Sequence, residues 1–472
     1  MTSIDIPSGR SDTQRSTWLL WGASLTATVG GFLFGFDTAV ISGTITFVKS
    51  QFNLSALAEG WFVSSALVGC IVGVAFAGML SDRFGRNKIL LLSSALFLVS
   101  TMGCTFAPSH VALIVSRLVA GMAIGVASML APLYISEIAP PSIRGRLVSL
   151  YQFAITVGIL CAYFSNAWIL SLSQGAGHAE GMLSWVHDRE AWRGMFGAMI
   201  IPDIAFMVLL LFAPESPRWL ISKGLTDKAK VVLARIQGVE NIGREYEQIA
   251  STIGGEGVSL AQLLTPSMRV PLLIGILLPV FSQLSGINAI IYYGPEILNE
   301  AGLSVSDALG GQVLIGIVNV LFTLLAIWQV DKLGRKPLLL FGISGTCISL
   351  SAVGLFFRLQ IANSAVLIVC IMFFIACFAF SYGPVTWIVI SEIFPTRIRG
   401  RAMSIGVLAL WGANAIIGQV FPWMLEHSGP GGTFWVFAAL CVPALLLVWK
   451  FLPETKGKSL EEIEHQLHTV AD

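Results

Sequence analysis

Apolar runs of nearly uniform length alternate with short polar breaks along almost the whole chain. A helix needs roughly 20 mostly apolar residues to cross a hydrocarbon core. Windows of that kind fall at residues 18–48, 56–80, 89–107, 111–135, 148–170 and 192–212. After a polar interval they resume at 270–297, 309–330, 338–357, 365–390, 402–424 and 434–452. The pattern predicts an all-α integral membrane protein with twelve spans. The polar residues 2–16 lead straight into a full-length span, so the first helix is expected to stay in the mature chain rather than act as a cleaved leader. Composition fits, with 55% hydrophobic and 12% charged residues and a mean hydropathy of +0.79, against about a quarter charged in soluble domains.

Charge then supplies an orientation. The loops "SDRFGRNK", "SIRGR", "DKLGRK" and "RIRGR" are basic, whereas "FAPSH", "PEILNEAGLSVSD" and "EHSGPGGT" contain no Lys or Arg. Basic loops stay on the cytoplasmic side, which predicts a multi-pass protein of the cell membrane with both termini and the long central loop in the cytoplasm. Lipid is its expected surrounding, and the net charge of +1 gives no reason to expect a nucleic-acid partner. The seven cysteines lie inside spans without metal-ligand spacing and read as small packing residues. No nucleophile, metal cluster or phosphate-binding loop emerges, so no enzyme activity, metal or cofactor is expected.

The chain also repeats itself. "SEIAPPSIRGRLVS" (136–149) returns as "SEIFPTRIRGRAMS" (391–404), and "SDRFGRNKILLL" (81–92) returns as "VDKLGRKPLLLF" (330–341), each near 250 residues further on. Two parallel six-helix halves are a transporter layout that holds substrate at the midplane between them. The expected domains are a tail (1–17), a half (18–213), a linker (214–268), a second half (269–453) and a tail (454–472). Helical periodicity over 223–252 predicts short helices in the linker.

At these residues the chain resembles the sugar porter family of the major facilitator superfamily. "GFDTAVISGT", "DRFGRN", "RLVAGMAIG", "SEIAPPSIRGR", "PESPRWL", "QLSGINAIIYYGPEI", "DKLGRKP", "SYGPVTW", "SEIFPTRIRGR" and "PETKGKSLEEIE" occur in the family's order. The resemblance implies monosaccharide transport by alternating access, by a protein expected to function as a monomer. It also implies a cytoplasmic gate of opposed charges that hold the inner side shut: Asp82, Arg83, Arg86, Glu137, Arg144 and Glu215 in the first half, and Arg335, Glu392, Arg399 and Glu454 in the second. Setting topology is the other use of the same arginines.

A sugar offers several hydroxyls around a weakly apolar ring, so its site calls for amides and aromatic faces. Amides are scarce in these spans. Gln152, Gln283, Asn288 and Asn319 match family positions that bond sugar hydroxyls; Phe34, Tyr292, Trp387 and Trp411 match its aromatic lining or gate. Asn166 and Asn414 read better as polar links between helices. Gly286 with Pro295, and Gly383 with Pro384, mark spans seven and ten as bent elements, and Gly383 joins the expected sugar site. Three positions depart from the family: Ser282 replaces the first of two common glutamines, Leu410 an amide before Trp411, and Ile159 the second glutamine of bacterial xylose carriers.

One acid stands apart. Asp37 is the sole charge between Ser16 and Val48, and a mid-membrane charge costs at least about 2.5–3.5 kcal/mol on insertion scales. Arg117 in span four is its best partner. Burial favours the neutral acid and a guanidinium favours the carboxylate, so Asp37 is expected to carry a proton in step with sugar. Proton-coupled family members have this aspartate where animal glucose facilitators have asparagine. Uniport and sugar sensing are the competing readings. Asp203, beside Pro202 in span six, is either a helix-bending contact or a second coupling group.

Overall fold

The computed structural model describes residues 11–140, 143–175, 190–237, 242–253, 265, 268–361, 363–394, 399–458 and 462. All regular structure among them is helical. The first half holds α1 (Ser11–Phe52), α2 (Ala56–Phe84), α3 (Arg86–Thr105), α4 (His110–Ile138), α5 (Arg144–Gly175), α6 (Ala191–Gly197) and α7 (Ile200–Phe212). Three short helices follow: α8 (Pro217–Ser222), α9 (Thr226–Gln237) and α10 (Ile242–Ile253). The second half holds α11 (Arg269–Leu284), α12 (Ile287–Glu300), α13 (Val305–Leu333), α14 (Arg335–Arg358), α15 (Ser364–Phe380), α16 (Tyr382–Glu392) and α17 (Arg399–Phe451).

Among the described residues, eleven stretches are long and apolar enough to cross a membrane. The last runs for 51 residues and is kinked at Gly429, with φ 66° and ψ 167°. It crosses twice, which makes twelve passes. The start of α1 and the end of α17 therefore share one face, the terminal face; the other is the distal face.

Three spans break where local chemistry requires it. The Pro384 ring collides with the carbonyl four residues back, and α15 ends on that residue, Phe380. Pro202 does the same to Ala198, between α6 and α7. Span seven breaks at Gly286, whose φ of 82° suits glycine, and where an added Cβ would lie 2.8 Å from the Phe437 ring. Prolines within helices leave a carbonyl without its donor, and tyrosines fill two such gaps. Pro295 frees Ile291, whose oxygen accepts from the Tyr163 hydroxyl at 3.3 Å. Pro422 frees Gly418, which accepts from Tyr293 at 2.8 Å.

Small residues then set the packing. Helices in lipid gain nothing from hiding apolar surface, so close backbone approach carries their association. On the α2–α4 contact, a Cβ on Gly121 would stand 1.8 Å from the Ala66 carbonyl, and one on Gly69 2.2 Å from that of Leu118. Gly35 brings α1 equally close to α5, 1.9 Å from the Ile155 carbonyl by the same measure. Between the halves, α2 packs on α17 and α5 on α13. The repeat maps each of these contacts onto the other.

Candidate functional site

The α1–α5 and α2–α4 contacts bring α1 against α4, and Asp37 meets Arg117 there. Arg117 Nη1 donates to both carboxylate oxygens at 2.9 Å. The pair is buried, with Asp37 4% and Arg117 3% exposed. The guanidinium lies 5.9 Å from the Phe196 ring centroid, and its Nε has no acceptor. The contact is thus strong but incomplete, with a donor left over for another arrangement.

The ion pair lines a small cavity between the halves. Its walls include Thr38, Leu67 and Cys70 from the first half and Tyr292 and Trp411 from the second. Trp411 also meets Phe34 across the halves, at 5.5 Å between ring centroids. Tyr292 and Asn414 bond each other at 3.2 Å, which ties α12 to α17. Asn288 donates to Gln283 Oε1, and Gln283 Nε2 donates to the Ser282 hydroxyl at 3.0 Å. Among the described residues, the amides of Gln152 and Asn319 have no protein hydrogen-bond partner, although Asn319 is only 8% exposed. Trp387 and Gly383 are half-buried on α16, just past the break in span ten.

The terminal face carries one device twice. In the first half, Glu215 Oε1 accepts from the amides of Arg86 and Asn87 at the start of α3, at 2.8 and 3.1 Å. Arg86 pairs with Glu137 at 3.1 Å and Asp82 at 2.8 Å. In the second half, Glu454 accepts from the amides of Arg335 and Lys336 at the start of α14, at 2.9 and 3.0 Å. Arg335 pairs with Glu392 at 2.9 Å, which also accepts from the Thr455 hydroxyl. Each described ion pair stays within its own half. Arg144 donates to the Ala139 carbonyl at 3.3 Å, and Arg83 is exposed over the Phe84 ring. The side chain of Arg399 lies outside the described residues.

Glu454 yields a pH prediction. Burial pushes its carboxyl up, but the amides of Lys456, Arg335, Lys336 and Thr455 outweigh that and hold it below the ordinary 4.5. A group lowered by folding stabilises the structure above the ordinary carboxylate range, and the contribution is lost as pH falls through the lowered value. Glu454→Ala is expected to remove a cap worth about 1 kcal/mol, raising amide exchange in the first turn of α14 roughly fivefold. Hydrogen exchange read by mass spectrometry checks this at neutral pH. Unchanged exchange would show that the cap does not hold the junction.

With this geometry in place, comparison with known proteins decides the family. The family model described as "Sugar (and other) transporter" matches residues 23–467. The chain belongs to that family. It is 42% identical to the arabinose-proton symporter of Bacillus subtilis (strain 168) over 443 residues, 93% of each chain. It is 39% identical to the D-xylose-proton symporter of Escherichia coli (strain K12) over 485 aligned positions, 96% of each chain. A solved structure described as a partially occluded inward open conformation of the xylose transporter XylE from E. coli superposes with a TM-score of 0.81 at 37% identity. That match covers 94% of this chain and all of the other.

In this sugar transporter the structure brings Asp37, Arg117, Tyr292 and Trp411 around one cavity, with Phe34 against Trp411, and sets Gln283 beside Asn288. Asn166 is fully buried and donates to the Val40 carbonyl at 3.1 Å, a link between α5 and α1. Two polar links across the halves were not singled out in the sequence. Ser42 donates to Gln312 at 2.9 Å, and Ser64 to Gln419 at 2.8 Å. Their signal, a lone amide in an apolar span, was present but named no partner. All seven cysteines are free, and no group of metal-ligating side chains occurs among the described residues.

Proposed function

We propose that this protein takes up a monosaccharide, a hexose or pentose, together with a proton by alternating access. The terminal face is then cytoplasmic and the distal face external. The observation that carries the reading is the buried Asp37–Arg117 pair facing a cavity whose other wall, Tyr292 and Trp411, belongs to the opposite half. A charge change at Asp37 is thereby felt where the two halves meet. Arginine keeps its charge at any relevant pH, so Asp37 carries the proton. Protonation removes the acceptor that holds Arg117, and its spare donors turn to other partners. The first half can then rearrange around bound sugar. The names of the arabinose-proton and D-xylose-proton symporters support the same coupling.

In this proposal Gln152, Gln283, Asn288 and Asn319 bond the sugar hydroxyls, with Phe34, Tyr292, Trp387 and Trp411 against the ring and Gly383 at the bend. Each chain holds both walls of the site and works as a monomer. The terminal-face charges lock helix ends within each half, so that the halves tilt as blocks. The decisive experiment adds hexoses, pentoses and inositol in turn to proteoliposomes, with and without a protonophore. Sugar-dependent alkalinisation outside, abolished by the protonophore, is the expected result. Uptake with no proton movement would make the protein a uniporter. Gln283→Ala and Asn319→Ala should each raise the sugar KM about two- to tenfold, the worth of one hydrogen bond of roughly 0.5–1.5 kcal/mol, and leave the proton-to-sugar ratio unchanged. A changed ratio with unchanged KM would remove these amides from the sugar site.

A further inference from the structure

A second group of charges sits between the halves, away from the transport site. Lys49, in the last turn of α1, lies 2.6 Å from Glu59 Oε2 in the first turn of α2. Glu59 is 1% exposed, far below what an acid at a helix start normally shows. From the opposing half, Glu296 on α12 lies within hydrogen-bonding reach of the Glu59 carboxyl, and Glu300 stands one turn further on. Lys49 feels all three acids. Tyr293 also faces Glu59 and Glu296, but its hydroxyl is committed to the Gly418 carbonyl. Among the described residues, the charged and titratable groups at this contact are Lys49 from α1, Glu59 from α2, and Tyr293, Glu296 and Glu300 from α12.

One ammonium cannot neutralise several carboxylates, and two carboxylates repel at hydrogen-bonding distance. A carboxyl–carboxyl contact closes when one partner holds a proton and donates it to the other. We propose that Glu59 and Glu296 form a second proton-binding site, distinct from Asp37, that exists only while the outer ends of the two halves are together. Lys49 is twelve residues beyond Asp37, roughly 18 Å along the helix, so the two sites do not share a proton. On outer closure one proton from the external solution joins the pair. On reopening the carboxyls part, both ionise, and the proton returns to the same side. The site leaves transport stoichiometry untouched and makes acid outside favour the outer-closed state. α12 begins at the Gly286 break, so Glu296 rides on a segment that can move apart from α11.

The inference rests on the alternating-access reading, and its test needs no sugar. Nitroxides at Leu57 and Ser306, exposed on the outer ends of opposite halves, report the outer distance by electron–electron double resonance in a background with the seven cysteines replaced. A one-proton site changes the open-to-closed ratio by up to about tenfold per pH unit. Between about pH 6 and about pH 8 the ratio should rise at least fivefold or so in the parent protein. Glu296→Gln supplies an amide donor to Glu59 at every pH and should cut the change to under about twofold. Glu59→Gln should do the same and keeps the test open should the first variant fold poorly. A pH response that survives both Glu296→Gln and Glu59→Gln, or is missing from the parent, would overturn the site. Failure of sugar-induced proton uptake would instead overturn the transport reading and leave this distance change in place.

Discussion

Asp37→Asn is expected to turn a concentrating carrier into one that only equilibrates sugar. An inward gradient of one pH unit can drive up to about tenfold accumulation through one-proton symport; the variant should reach about onefold while still exchanging labelled sugar for unlabelled. The asparagine carbonyl oxygen still accepts from Arg117, so the buried guanidinium keeps one bond. Removing the acceptor altogether would leave an unpaired buried charge, at roughly 3–5 kcal/mol. Counterflow and proton uptake in the same proteoliposomes read the two properties separately. Concentrative uptake by Asp37→Asn would show that the proton travels elsewhere, and the fully buried Asp203 would be the next acid to replace.

The other large effect is structural. Gly121→Ala puts a methyl carbon where the Ala66 carbonyl oxygen already stands, 1.8 Å away. That atom is backbone and cannot swing aside. α2 and α4 must separate, and overpacking of this kind costs about 3 kcal/mol or more. Since α2 also packs on α17 of the other half, the shift reaches the interface at which the protein works. The melting temperature in detergent is expected to fall by roughly 5–10 °C, with most transport lost. Gly412→Ala is the matched control, because nothing lies within 4 Å of its added Cβ; a neutral or slightly stabilising change is expected there. Equal behaviour of the two variants would show that the α2–α4 approach is not limiting.

The spans, the repeat and the breaks near Pro202, Gly286 and Pro384 were legible because each is written locally, in a run of some twenty residues or in one ring that blocks one carbonyl. Asp37 and Arg117 were legible as a pair because charges inside spans are few, so a buried acid has little choice of partner. Gln312 and Gln419 were not, since an amide in an apolar helix does not say which helix it faces. Glu59 was hidden differently. An acid in the first turn of a helix is ordinary, and only the fold shows this one shut between halves. The terminal-face charges were expected to hold the inner side shut. Their signs and order did not reveal that Arg86 with Glu137, and Arg335 with Glu392, close within one half each.

That last arrangement bears on how such a chain came to exist. A six-helix unit that ties Arg86, Glu137 and Glu215 together, or Arg335, Glu392 and Glu454 together, fastens its own helix ends at the terminal face. Two copies on one polypeptide can therefore slip against each other without either coming undone, and a duplicated gene would have begun with moving parts already in working order.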